Sequence, residues 1–441
     1  MKKINWKFIL ILLILSGSVN AQWVSSNLPL SGIIRNINYV DKNDIYVNQS
    51  YTYFPFPQTS ATTVRLFKSN NSGASWYDIF SYAGQMYQSL GMSNVSFLNP
   101  LKGIFGFSQS TSSYIYKTTN AGANWTSTVI PYSGFSPAKC NYLNDSTYVV
   151  LTTTGGPNYQ VFRSTNSGIS WSFSSLPVSG YMNNMYFLNQ NTGFIVTSDG
   201  NILKSVNSGS TWDVINTGVL SNIMDISFLN SSTGFAVGII SLTSSVIFKS
   251  TNEGNNWSVI DTITTGQLNS ISCQNPSVVY VSGVNRVIKS IDSGDNWTEI
   301  LIFQDEGSAY ISCYNKDTLA VSKLNSVYRS YNGGTYVKVN SNIIPDKYSL
   351  LQNYPNPFNP TTKIRFTISQ SVLSPNGVGG DLVQLKVFDI MGREIQTLVN
   401  ESLQPGTYQA TFDGSKLTSG VYFYRLTSDN FTDTKRMLLV K

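Results

Sequence analysis

The 441-residue chain contains no histidine. That absence removes every mechanism that needs an imidazole base and every imidazole metal ligand. Cysteine is scarce, with only Cys140, Cys273 and Cys313, too few for a disulfide framework. Charge is thin as well, since Asp, Glu, Lys and Arg together make up 12%. The net charge of +6 dissolves when apportioned: three of the 29 basic residues are Lys2, Lys3 and Lys7, residues 22–345 hold 16 basic against 15 acidic, and residues 346–441 hold 10 against 8. With a basic surplus of only one in the first part and two in the second, nothing supports a nucleic-acid or anionic-membrane partner. Beyond the first residues no apolar run approaches the ~20 residues of a membrane-spanning helix.

What remains is 41% hydrophobic and 13% aromatic, with Asn, Ser, Thr, Gly and Tyr as the polar surface. This composition is that of an extracellular all-β protein. Three lysines ahead of the apolar run Phe8–Leu15, closed by Val19-Asn20-Ala21, read as a secretory signal peptide over residues 1–21.

One motif then recurs. Ser or Thr, Asn two residues on, Gly four on and Trp seven on occurs in five copies: Asn71 with Trp76, Asn120 with Trp125, Asn166 with Trp171, Asn207 with Trp212, and Asn252 with Trp257. A sixth copy carries Asp292 and Trp297, and a worn seventh keeps Asn332 but has Tyr336 in place of Trp. Short apolar runs flank each copy, so it reads as the hairpin between two strands, with Asn bonding the backbone and Gly taking positive φ. The indole is expected to pack into the following repeat. Self-similarity at this period predicts an array of four-stranded units, here a seven-bladed β-propeller over residues 22–345. Trp23-Val24-Ser25-Ser26 looks like an outer strand without its hairpin, and either it or residues 336–340 completes the seventh blade. Cys273 and Cys313 fall where Phe97, Phe187 and Phe228 stand elsewhere, which reads as core substitution, with a bridge between them as the alternative.

Strand parity puts the motifs on one face and the B–C and D–A connections on the other. That second face carries the irregular insertions, and its aromatics Tyr51, Tyr53, Phe54, Phe56, Tyr82, Tyr87, Tyr132 and Tyr181 are the candidate ligand-binding residues for a glycan, peptide or surface-matrix ligand. The other reading gives them to loop packing. If the protein is an enzyme, the same face offers Asp199, Asp261, Asp305 and Glu306 as a carboxylate set for glycoside hydrolysis. No metal or cofactor site is expected.

After the repeats, residues 346–352 read as a linker. Residues 353–360, NYPNPFNP, open a second domain, residues 353–441, whose alternating strands and turns at Met391-Gly392, Pro405-Gly406 and Ser419-Gly420 predict an immunoglobulin-like β-sandwich. The marks Tyr354, Pro355, Asn356 and Pro357, then Gly392 and Arg393, then Gly420 and Tyr422, then Lys435 before the apolar end, resemble the type A C-terminal sorting domain of the type IX secretion system of Bacteroidota. That resemblance implies recognition of residues 353–441 by the outer-membrane translocon and a product that is secreted or attached to the outer cell surface. The repeats resemble the Asp-box, or BNR, propellers, a family of sialidases, xyloglucanases, sortilin-type receptors and the photosystem II assembly factor. In those relatives the motif is structural and says little about chemistry. A sialidase would need three convergent arginines; of five in the repeats, Arg65, Arg163, Arg286 and Arg329 lie in C strands. The reading is a non-catalytic binding propeller, with a glycoside hydrolase as the alternative.

Overall fold

The computed structural model describes residues 23–30, 32–53, 61–85, 88, 90–154, 159–178, 180–264, 266–275, 277–303, 307–331, 337–341, 347–369, 381–403, 406–428 and 431–441. Among these every regular element is a strand. The chain forms two compact units, divided between Gly334 and Thr335. The expected signal peptide lies outside the described residues.

In the first unit, six successive groups of four strands each form an antiparallel sheet in chain order. The fourth is representative: Met182–Phe187, Gly193–Thr197, Asn201–Ser205 and Asp213–Asn216, called A to D from here on. A seventh sheet takes Ala309–Cys313, Leu319–Lys323 and Ser326–Ser330 from the end of the unit and Val24–Asn27 from its start. Val24 stands opposite Arg329, the register that Asp213 holds against Lys204. Trp23 thereby occupies the place of the motif tryptophan. It is buried with Tyr280 and Leu301 of the sixth sheet, and its indole N–H donates to the Ile300 carbonyl at 3.1 Å. Where the worn motif has no tryptophan of its own, Trp23 from the start of the unit takes the place. Of the two closures the sequence left open, this is the one observed. Val337–Ser341 instead pairs with Gly406–Asp413 in the second unit, so the boundary expected at residue 345 falls too late. Its alternating pattern suits an outer strand, but that position was already filled.

The A strands of consecutive sheets lie against one another all the way round, the seventh against the first. Serines make the joints: Ser96, Ser227, Ser272 and Ser312 accept hydrogen bonds from the backbone N–H groups of Tyr142, Cys273, Cys313 and Tyr39 in the next sheet. One step earlier on each A strand stand Asn36, Asn94, Lys139, Asn184, Asp225, Ser270 and Tyr310. All but Ser270 are half-buried rather than buried, so these innermost positions meet solvent along the axis that the A strands surround.

Size is traded across the A–B pairs. Phe97, Phe187 and Phe228 face Gly103, Gly193 and Gly234, where an added Cβ would lie 2.6–2.7 Å from the ring. In the sixth and seventh sheets Cys273 and Cys313 face Val279 and Leu319. Cys273 and Cys313 are thus core substitutes; all three cysteines are buried and free, and the alternative bridge is not formed. In these three sheets close packing makes the phenylalanine ring fill the space of the missing side chain opposite.

The hairpin motif is built alike in six sheets. In the fourth, Ser205 Oγ accepts from Gly209 N at 2.9 Å and donates to Asn207 Oδ1, which also accepts from Thr211 N at 2.9 Å. Two consecutive residues are left-handed, Ser208 at φ 58° and Gly209 at φ 79°, and the same holds in the other five copies. Sequence reasoning assigned that conformation to the glycine alone. Ser208 N donates to Asn191 O, tying the hairpin to the A–B turn on the same face.

The motif indoles pack onto the preceding sheet, not the following one as expected. Trp76 of the first sheet lies with Ala320 and Val327 of the seventh, and its indole N–H donates to Ser26 Oγ at 3.1 Å. Trp125 lies with Tyr46 and Leu66 of the first sheet, and Trp171 with Ile104 and Ile115 of the second. The rest follow the same direction: Trp212 with Leu143 and Val149 of the third, Trp257 with Phe194 and Val196 of the fourth, Trp297 with Phe235 and Val237 of the fifth. Trp76, Trp212 and Trp257 are buried, whereas Trp125, Trp171 and Trp297 are half-buried at the edge of their clusters. The physical reason is the outward position of the D strand, whose first residue meets the B and C strands of the sheet already laid down.

The second unit has two four-stranded sheets. One is ordered Val337–Ser341, Gly406–Asp413, Thr361–Ile368, Ser349–Leu350, the other Glu394–Leu403, Asp381–Phe388, Gly420–Ser428, Phe431–Leu439. Ser349–Leu350 thus lies in a sheet where a linker was expected. Phe366, Tyr408 and Phe412 from one sheet and Leu385, Tyr424 and Met437 from the other fill a single core.

Candidate ligand-binding face

The face carrying the hairpin motifs is committed to holding the sheets together. The residue before the motif Ser or Thr is basic in all seven repeats, a regularity visible in the sequence. Lys68, Arg163, Lys204 and Lys249 donate to the carbonyls of Ala121, Ser208, Glu253 and Ser293, the left-handed residue in the hairpin of the next sheet. Arg329 donates to Ser72 O at 3.2 Å and joins the seventh sheet to the first. Each such bond satisfies a carbonyl turned outward by the left-handed residue, and a charged donor strengthens it.

The opposite face has less of this fastening and more exposed apolar surface. Tyr181, Leu220 and Leu242 stand out from the loops of the fourth and fifth sheets and Ile240 from the end of strand Gly234–Ser241, with Leu220 and Leu242 83% and 86% exposed. Tyr51, Ile302 and Leu324 add to the same side from the first, sixth and seventh sheets, as do Leu30 and Ile33 where the chain enters the first. The hairpin face also shows apolar groups, among them Ile169, Val206 and Ile291, but these stand one per motif. Between the fifth and sixth sheets the loop face opens into a cleft of about 450 Å³, lined by Leu242, Thr243, Thr264, Gly266, Gln267, Val284 and Asn285. Its walls are fixed by Gly266 N donating to Thr243 O at 3.0 Å and Val284 N to Gln267 O at 3.0 Å. No lining residue is charged. A volume in this range with a mixed apolar and amide lining suits an uncharged ligand group.

The candidate aromatics divide. Tyr51 and Tyr181 are exposed on this face. Tyr82 lies in strand Tyr77–Ala83 with its ring 5.1 Å from Phe107, and Tyr132 lies 4.8 Å from Phe162 and 5.3 Å from Phe173. Both are taken up by packing, because an aromatic ring next to a buried aromatic layer gains more there than in water. Tyr53 ends strand Ile45–Tyr53 with its side chain outside the described residues, and Phe54, Phe56 and Tyr87 lie outside them altogether. Leu220 and Leu242 were missed, although an apolar side chain in a tight Ser-Leu-Thr-Ser turn breaks turn chemistry and could have marked the second.

The candidate carboxylates do not form a set among the described residues. Asp199, in a B–C turn, accepts from Thr197 Oγ1. Asp261 lies within strand Ser258–Ile263 opposite Ile247, not in a loop, and accepts from Thr262 N. Asp305, Glu306 and the motif residue Asn332 lie outside the described residues.

In the second unit, Asn353 is buried and bonds Pro355 O and Thr362 Oγ1, which shapes the segment that ends with Phe358 in the core. Tyr354 remains 80% exposed, while Asn356 Oδ1 accepts from Leu438 N at 2.9 Å. Phe358 N donates to Leu438 O, which lays the segment beside the last strand, and Pro357 is held between these two anchors. Gly392, at φ 75°, turns a loop held by Asp389, which accepts from Met391 N and Arg393 N and pairs with the Arg393 guanidinium at 2.7 Å. Gly420 opens its strand opposite Leu439, Tyr422 donates to Thr418 O, and Lys435 faces Asp433 at 3.6 Å.

Comparison with known proteins agrees with these two descriptions. The structure "YCF48 bound to D1 peptide" superposes with TM-score 0.54 at 15% identity, covering 70% of this chain and 96% of that one. YCF48 from Cyanidioschyzon merolae gives the same TM-score and identity, with 70% and 99% covered. At this identity the likeness is one of fold alone. No curated protein sequence matches the chain. The family described as secretion system C-terminal sorting domain matches residues 352–441. The chain therefore ends in a secretion-system C-terminal sorting domain, carried behind an all-β unit of propeller-like fold.

Proposed function

We propose that this protein is a non-catalytic, seven-bladed propeller of the Asp-box class that binds a partner on its loop face, and that the type IX secretion system exports it. The sorting tail is read as an immunoglobulin-like sandwich that addresses it to the outer cell surface. The observation that carries the binding reading is an uncharged cleft edged by Leu242 on the face free of hairpin motifs, a face that also exposes Tyr181, Leu220 and Ile240. Exposed apolar groups rimmed by polar ones mark interaction sites. Aliphatic side chains favour an uncharged polypeptide segment over a sugar, which would ask for flat aromatic platforms. A protein of like fold is described as bound to a peptide, which supports the same reading. The propeller closes through Val24–Asn27, and the Asp-box assignment rests on the six matching hairpins.

The test is an array of peptides and glycans probed with the whole secreted chain, comparing wild type with Leu242→Asp and Leu220→Asp. Capture of uncharged peptides that falls at least tenfold in either variant, with an unchanged melting temperature, is the expected result. Capture of glycans with release of shortened products would overturn the non-catalytic reading and bring Asp199, Asp261, Asp305 and Glu306 forward.

A further inference from the structure

The cleft between the fifth and sixth sheets has a satisfied backbone and leaves its side-chain amides open. Beyond the two bonds that fix its walls, Ser245 Oγ donates to Gly266 O at 3.1 Å, Phe303 N donates to Asn285 O at 2.8 Å, and the Lys323 ammonium donates to Val284 O. The Asn285 carboxamide is oriented too. Its Oδ1 accepts from Arg286 Nε at 3.1 Å, and Gly266 comes so close that an added Cβ would lie 3.1 Å from the same oxygen. Neither Asn285 Nδ2 nor either end of the Gln267 carboxamide has a hydrogen-bond partner among the described residues, and both residues line the cleft half-buried. The neighbouring cations are committed elsewhere: Arg286 pairs with Glu299 at 3.1 Å, and Lys323 is buried against the Val284 and Gly307 carbonyls. A carboxylate entering the cleft would give up its water without meeting a countercharge on the lining. An apolar group would strip water from the amides and leave them unpaired.

We infer that the cleft takes the primary carboxamide of a glutamine or asparagine side chain in the partner polypeptide, an inference that rests on the peptide-binding reading of this face. A carboxamide carries two N–H donors and a carbonyl acceptor on one planar head. These complement the donor of Asn285 and the donor and acceptor of Gln267. A trans peptide group holds its N–H and C=O on opposite edges. It cannot turn both toward Gln267 and Asn285, whose segments lie side by side through the hydrogen bond from Val284 N to Gln267 O. The volume of about 450 Å³ exceeds one side chain and leaves room for the flanking main chain, with Leu242 at the rim for an apolar neighbour.

Saturation-transfer NMR on the whole chain tests it with three tripeptides, each acetylated and closed by an N-methylamide so that no other primary amide is present. One is leucine-glutamine-leucine, and the others carry glutamate or methionine at the centre. Saturable transfer to the glutamine peptide, with roughly tenfold or weaker binding of the other two, is the expected result. Asn285→Asp keeps the size and the arginine contact but turns the donor into an acceptor. It should weaken the glutamine peptide by roughly tenfold or more at an unchanged melting temperature. Should that variant fail to fold, Gln267→Met carries the same comparison. Equal binding of the three peptides, lost in Leu242→Asp, would overturn the carboxamide and leave the loop face a peptide site. Capture of other peptides on the array without transfer to the glutamine peptide would overturn it in the same way. A blank array together with no transfer would remove both readings. Preference for N-acetylglucosamine over the glutamine peptide would overturn it in favour of a sugar amide.

Discussion

In each of six hairpins a single Asn or Asp side chain organises a turn whose backbone passes through two left-handed residues. A non-glycine residue in that region costs roughly 1 kcal/mol or more. The side-chain bonds offset that strain. Asn207→Ala removes the acceptor for Thr211 N and the donor to Thr211 Oγ1. It should lower unfolding free energy by about 1–2 kcal/mol, seen as an earlier denaturant midpoint, without altering capture on the loop face. The Phe–Gly pairs give a sharper test. Gly234→Val places side-chain atoms within the Phe228 ring and should destabilise strongly, while adding Phe228→Cys recreates the Cys273–Val279 pairing of the sixth sheet. The double variant should recover more than half of the loss, a coupling measurable by a double-mutant cycle. An additive result would show that ring and glycine do not share one space. Spacing in the sequence put Cys273 and Cys313 in the phenylalanine position, but it could not show the residue opposite, because cross-strand register is a property of the folded pair.

Among the elements, Val24–Asn27 matters most, because it completes a sheet whose other strands come from the far end of the unit. Trp23→Ala should cost about 3–5 kcal/mol, in the range of other buried large-to-small changes, and an exposed substitution such as Leu101→Ala should cost little by comparison. Equal effects of the two on the thermal midpoint would mean that the strand does not hold the sheet. Strand order and hairpin positions were legible from the sequence, since local chemistry sets them. The direction in which Trp76, Trp125, Trp171 and the other indoles pack was not: a motif shows that a tryptophan has a fixed place but does not show which neighbour receives it. The basic residue before every hairpin shows the converse. It was in plain view, and its meaning came only from the carbonyl it reaches in the adjacent sheet.

At the scale of the molecule, two units divide the work. Deleting residues 352–441 should leave the first unit able to fold while abolishing export, which fractionation of producing cells would read as loss of the protein from the medium and the outer surface. Export of the truncated chain at the wild-type level would remove the sorting role from the tail. The candidate ligand face was only half legible. Strand parity identifies the face, whereas Tyr82 and Tyr132 turn inward because a buried aromatic layer lies beneath them, a circumstance no local pattern carries. The joining of Ser326 Oγ to Asn27 Oδ1, 299 positions apart, also makes the seventh sheet a check on completeness. Losing a few residues from the start, or a few dozen from the end of the unit, breaks the same sheet. A protease acting on an unfinished or clipped chain would therefore meet an open edge, and only molecules with both strands in place would resist it.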